Sequence, residues 1–126
     1  MPEFVFLFRS TPEQQRAAMG TPEQAERAMK AWLDWVRELD ANGHLKSPGQ
    51  PLAVAGKVVR GPDAVTDGPY VEAKDLVLGF NVISARDIDE AVELAQRCPM
   101  VQGGGGLVEI RPVDLGVMDR LGPDHP

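Results

Sequence analysis

Three chemically versatile residue types are scarce in this chain of 126 residues: it has one cysteine, one tyrosine and two histidines. A lone Cys98 excludes an intrachain disulfide. Together with His44 and His125 it is also too little for a structural zinc site. These shortages lead us to expect a reducing, cytoplasmic setting and no metal or organic cofactor. Basic residues are few as well: 13 Lys and Arg against 19 Asp and Glu give a net charge of -6 and an isoelectric point near 4.8. A protein of that charge is poorly suited to track a phosphate backbone, so nucleic acid is not an expected partner. No stretch approaches the roughly 18 apolar residues of a membrane span. The start Met1-Pro2-Glu3 lacks the basic and apolar regions of a signal peptide, so no membrane association is expected.

What remains is an ordinary globular composition, 43% apolar and 25% charged, in a chain the size of one domain. At 13.7 kDa folding buries about two thirds of the unfolded surface, enough for a core without covalent staples. Thirteen glycines and eleven prolines predict numerous turns and caps.

Residues 3 to 8, Glu-Phe-Val-Phe-Leu-Phe, alternate Phe4, Phe6 and Phe8 with Val5 and Leu7, which predicts a strand apolar on both faces. Thr-Pro-Glu-Gln occurs at 11 to 14 and again at 21 to 24. Each copy supplies a capping residue, a proline for the first helical position and a Gln to close a capping box. The first copy opens a short turn or helix that Gly20 ends. The second opens a helix over 22 to 42 whose apolar side holds Ala25, Ala28, Met29, Trp32, Leu33, Trp35, Val36 and Leu39, with Asn42-Gly43 as its C-terminal signal.

Strands are predicted over 52 to 60, interrupted by Gly56, over 64 to 66, over 76 to 84 and over 107 to 111. Asp87 and Glu90 cap a second main helix over 87 to 98, with Ile88, Ala91, Val92, Ala95 and Cys98 as its stripe. The glycine run 103 to 106 reads as a flexible loop, since it precedes a strand where phosphate-binding glycine motifs precede a helix. With one short hairpin strand set aside, the order is βαββαβ. This predicts an α+β, ferredoxin-like subunit with an antiparallel sheet and two helices on one face. Alternation then assigns Phe4, Phe6, Phe8, Leu78, Phe80, Val82, Val108 and Ile110 to the helices. It sends Val5, Leu7, Arg9, Val77, Asn81, Ile83, Leu107, Glu109 and Arg111 to the other face. So apolar a second face predicts a homodimer joined through it, centred on Val5, Leu7, Val77 and Ile83.

Taken in order, these residues resemble the DGPF-motif proteins of the YCII-related superfamily, small bacterial proteins of the dimeric α/β barrel type. The resemblance rests on the Trp-bearing helix ending in Ala-Asn-Gly and on Val65-Thr66-Asp67-Gly68-Pro69-Tyr70-Val71-Glu72-Ala73-Lys74. It continues through Leu78-Gly79-Phe80-Asn81-Val82, Asp87-Ile88-Asp89-Glu90-Ala91 and Arg97-Cys98-Pro99, and ends on Val108-Glu109-Ile110-Arg111-Pro112-Val113. It covers about residues 3 to 113, so we expect a YCII-related (DGPF) domain over 1-113 and a C-terminal arm or partly disordered tail over 114-126. It implies a ferredoxin-like subunit that dimerises through its sheet and carries a cleft. Two departures are visible: Tyr70 stands in place of the usual Phe, and Trp32 occupies the stretch where the YCII branch carries a His, so a His-Asp dyad is not carried over.

Asp67, Glu72 and Lys74 flank the Gly-Pro turn, and opposite charges fixed beside apolar strands suit a general base or a polar ligand contact. Asp67 and Lys74 are therefore candidate catalytic groups, with Tyr70 and Glu72 as ligand contacts; the competing reading is a structural turn with a solvated ion pair. His44 is the ordered imidazole able to titrate near neutrality and is the third catalytic candidate, against a role capping the helix end. Arg9 and Arg111, with Glu109 on the second sheet face, are candidate ligand contacts, because a buried charge must pair or bind an anion. Cys98, on an apolar stripe, reads as structural. Two classes fit: a protein that binds or transforms a small polar organic molecule in a cleft at Asp67-Gly68-Pro69-Tyr70, and a non-catalytic dimer that acts through protein partners.

Overall fold

A computed structural model describes residues 1–68 and 75–122. Along the chain it has β1 (Glu3–Ser10), α1 (Pro12–Met19), α2 (Pro22–Ala41), β2 (Leu45–Pro51), β3 (Gly56–Gly61), β4 (Ala64–Gly68), β5 (Leu76–Ser84), α3 (Ile88–Gln96), α4 (Pro99–Gln102), β6 (Leu107–Pro112) and α5 (Leu115–Asp119). The main sheet runs β2-β5-β1-β6, and all its neighbours are antiparallel. Strands β3 and β4 form a separate two-stranded hairpin inserted between β2 and β5. The four-stranded order is that of the ferredoxin-like arrangement expected from the sequence, with the hairpin as the element set aside.

Both Thr-Pro-Glu-Gln signals start helices. Thr11 accepts from Gln14 N and Thr21 from Gln24 N, and each Gln side chain returns a bond to the cap's own backbone N–H, a complete capping box in both places. Gly20 ends α1 at φ 49° and Gly43 follows α2 at φ 78°, conformations open to glycine at little cost. Asp87 caps α3 through Glu90 N.

The core lies between the helices and one face of the sheet. Phe4, Phe6 and Phe8 of β1 pack with Trp35 and Leu39 of α2, with Ala91, Leu94 and Ala95 of α3, and with Ile83, Ala85 and Cys98. Trp32 meets Phe8 edge to face at 4.5 Å, and the Trp35 indole N–H donates to Leu94 O, so both tryptophans tie α2 to what lies under it. The apolar stripe of α2 is only partly used: Trp35 and Leu39 are buried, whereas Met29 and Leu33 are exposed.

Three sequence expectations are corrected. Residues 45 to 51 form a strand that was not expected, and 52 to 55 lie outside any strand, so the predicted 52 to 60 segment shrinks to β3. Lys-Ser-Pro-Gly-Gln-Pro has no apolar alternation. It becomes a strand by bonding to β5 at the sheet edge, where its prolines forfeit no ladder bonds on the outer side. The second correction concerns β5, which faces the opposite way. Phe4 pairs with Ile83, Phe6 with Asn81 and Phe8 with Gly79, so Gly79, Asn81 and Ile83 lie under the helices, while Phe80 and Val82 share the open face with Val5 and Leu7. The third follows from the second: Ile83 is fully buried and belongs to the core instead of the proposed dimer face. Within the C-terminal segment, α5 is helical and capped by Asp114.

Candidate functional site

The sequence-predicted residues fall into three separate places. Asp67 ends the hairpin strand β4, paired with Lys57 across β3; its side chain is 85% exposed. Tyr70, Glu72 and Lys74 lie outside the described residues, as does His125.

His44 follows the Gly43 turn, and its backbone N–H donates to Leu39 O, closing the end of α2. The ring does not turn back on those helical carbonyls. Its Nδ1 lies 2.9 Å from Ser84 O at the end of β5; a carbonyl only accepts, so Nδ1 carries the proton in that bond. Glu90 Oε1 is 4.0 Å away, but Glu90 is held by Arg86 through the backbone N–H at 3.0 Å and the guanidinium at 2.8 Å. The adjoining crevice among Trp35, Glu38, Asn42, Leu94 and Arg97 has about 10 Å³ of room, the space of one water at most.

Arg9 and Arg111 do come together, around Glu109. Arg9 Nε donates to Asp75 Oδ1 at 2.9 Å and one terminal nitrogen donates to Glu109 Oε1 at 2.8 Å; Arg111 reaches Glu109 Oε2 at 3.5 Å. The hydrogen bonds that it donates, to Asp75 first and to Glu109 second, hold the Arg9 guanidinium even more firmly protonated than usual. A cation with both flanks occupied by carboxylates has little left for a ligand. These charges satisfy one another on the open sheet face, at side-chain exposures of 31%, 26% and 33% for Arg9, Asp75 and Glu109.

Beside this network, at the opposite end of β5 from His44, a cavity of about 240 Å³ opens under α1. The eight steps from Leu76 to Ser84, at about 3.3 Å each, separate those ends by roughly 26 Å, so His44 does not reach it. Pro12, Val54, Leu76 and Leu78 supply apolar wall, and Ser10, Thr11, Gln15 and Arg16 supply polar groups. The strand end is fixed by Ser10, whose buried hydroxyl donates to Gly105 O at 2.5 Å. The glycine run makes that approach possible. A Cβ on Gly105 would stand 3.1 Å from the Ala18 methyl, and one on Gly106 would meet Arg9 O at 2.5 Å. Gly105 and Gly106 thus make a close-packed crossing against β1 and α1, while Gly103 and Gly104 are exposed.

Sequence reasoning missed Ser10, Gln15, Arg16 and Asp75. The first Thr-Pro-Glu-Gln signal located α1, but its weak amphipathicity gave no hint of which side would face a cavity. Asp75 directly follows the motif segment and was legible only as its neighbour. Among the described residues no group of three His, Cys, Asp or Glu side chains is placed to hold a metal ion, and no helix is long and apolar enough to cross a membrane.

Comparison with known proteins adds three findings. The family model described as the YCII-related domain matches residues 3–114. An uncharacterized protein of Rhizobium meliloti (strain 1021), R00369, is 36% identical over 55 residues, a match that spans 44% of this chain and 44% of that protein. The solved structure of 5-chloro-2-hydroxyhydroquinone dehydrochlorinase from Burkholderia phenoliruptrix AC1100, in complex with 2,5-dihydroxybenzoquinone, superposes with a TM-score of 0.55. The superposition covers 89% of this chain and 93% of that one at 16% sequence identity. At that identity the likeness establishes a shared fold.

Proposed function

Since the chain belongs to the YCII-related family, we propose that it binds a small polar organic molecule, as ligand or substrate, in the cavity under α1. The observation that carries this reading is the cavity itself: apolar walls from four residues and a few polar groups from α1 and the end of β1, the combination that small-molecule sites share. Its volume equals that of about eight waters at roughly 30 Å³ each, which suits a single ring or a short acid. The dehydrochlorinase with the same fold is complexed with 2,5-dihydroxybenzoquinone, an oxygenated ring of that size, and this supports the reading. The cavity also borders the sequence motif: the chain leaves the motif segment at Asp75, which is tied to Arg9, and continues into Leu76 of the cavity wall.

The subunit acts as a homodimer joined through the open sheet face of Val5, Leu7, Phe80 and Val82. Such a face, apolar and uncovered by the chain's own helices, supports self-association.

The test is mass spectrometry of small molecules released from protein purified without added ligand, alongside Leu78→Trp, which fills the cavity. A stoichiometric organic molecule in the wild type and none in Leu78→Trp is the expected result. An identical load in both variants places the molecule elsewhere and overturns the proposal.

A further inference from the structure

The cavity under α1 is charged with one sign. Among the described residues that line it, Arg16 is the one ionisable side chain, in a protein whose net charge is -6. Its guanidinium makes no hydrogen bond or ion pair with a described residue, and the half-buried carboxamide of Gln15 beside it makes none either. Arg9, next along the chain from Ser10 of the cavity wall, is the opposite case, with Asp75 on one flank and Glu109 on the other. Of the two arginines near the cavity, one is saturated by the protein and the other, exposed at the cavity's rim, is open to a ligand.

The helix that carries Arg16 is held in place independently of the core. None of its residues is fully buried, so burial alone does not explain its position. It is set by the capping box at Thr11, by Ala18 against Gly105, and by the Ser10 hydroxyl bonded to Gly105 O just before the cap. A short helix anchored at its start and near its end presents Gln15 and Arg16 to the cavity.

We infer that the molecule bound under α1 is an organic anion whose carboxylate, or equivalent oxyanion, is read by Arg16 with Gln15 as a second donor, while its apolar body lies against Leu76, Leu78 and Val54. A planar guanidinium matches the two oxygens of a carboxylate, and the absence of any carboxylate among the described lining residues leaves the positive charge uncompensated until the ligand supplies one. Arg16 is thus a specificity-determining residue. This inference rests on the cavity reading above.

Matched acids and amides separate the two. Binding of 4-hydroxybenzoate with 4-hydroxybenzamide, and of salicylate with salicylamide, is measured at millimolar concentration by ligand-observed NMR on the wild type, Arg16→Gln and Leu78→Trp. The expected result is that the acids bind about tenfold or more tightly than the amides in the wild type, the gain of a charge-assisted bond. That preference disappears in Arg16→Gln while amide binding is retained, and both kinds of probe are lost in Leu78→Trp. Equal binding of acid and amide, or a preference that survives Arg16→Gln, overturns the anion inference and leaves the cavity reading standing. Failure of every probe to bind, or binding unchanged in Leu78→Trp, overturns both.

Discussion

Single residues in the core carry chemistry that polarity alone would not have placed there. Asn81 is 2% exposed, under the helices and opposite Phe6, and its side-chain oxygen has no hydrogen-bond partner among the described atoms. An unsatisfied buried acceptor costs about 1 to 3 kcal/mol. Asn81→Leu, with the same branching and the same number of heavy atoms, is therefore expected to raise stability by up to an amount of that order, and Asn81→Asp to lower it. Urea unfolding of the three proteins decides the matter: a loss of stability in Asn81→Leu would mean that the oxygen is bonded after all. Cys98, fully buried, has its thiol pushed up from the ordinary 9.0 by burial, against the smaller opposing effect of the Met100 and Val101 backbone N–H groups. With the folded-state value above the unfolded one, the unfolded chain loses its proton first. Stability from this group is therefore intact below about pH 9 and declines as pH rises beyond it. Denaturation followed from neutral to alkaline pH is expected to show a downward slope that Cys98→Ala lacks. The native thiol is likewise expected to be slow toward thiol reagents.

At the level of elements, the informative case is β5. Its two sides, Phe80-Val82 and Gly79-Asn81-Ile83, rank clearly by hydrophobicity, and the more apolar side faces away from the helices. Volume accounts for this. β1 already contributes three phenylalanines to the helix side, and opposite Phe8, which Trp32 meets edge to face, the strand carries Gly79. A Cβ there would also stand 2.9 Å from Gln50 O of β2. Gly79→Val is therefore expected to cost about 1 to 3 kcal/mol through overpacking. On an outward-facing position the same change would be neutral or stabilising, because glycine weakens a strand. The sign of the shift in melting temperature thus tests the orientation of the whole strand. The starts of the longer helices present no such ambiguity: the capping residues Thr11, Thr21 and Asp87 are local signals, and α1, α2 and α3 each begin directly after one. The helix expected over 87 to 98 instead stops at Gln96, and Pro99 opens the short α4, because proline suits a first helical position as well as it ends a helix.

For the whole molecule, the open sheet face makes the strongest demand. Val5, Leu7, Phe80 and Val82 flank the Arg9 network on it, and a charge substituted there would meet apolar neighbours in a dimer and only water in a monomer. Light scattering at micromolar concentration is expected to give twice the 13.7 kDa mass for the wild type and the monomer mass for Phe80→Glu, with circular dichroism unchanged. A wild type that is monomeric would show that this face is stable against water. The family, the βαββαβ order and the starts of α1, α2 and α3 were legible in the chain, because caps, turns and hydrophobic period are properties of neighbouring residues. Arg9, Glu109 and Arg111 were likewise visible as a group from strand alternation. What only the tertiary structure decided is which way β5 turns, that Lys-Ser-Pro-Gly-Gln-Pro is an edge strand, that Asp67 sits exposed on a hairpin with Lys57, and that Ser10, Gln15 and Arg16 border a cavity beside Asp75. Each of these depends on volumes and hydrogen bonds between segments far apart in sequence, for which a one-dimensional pattern carries no record.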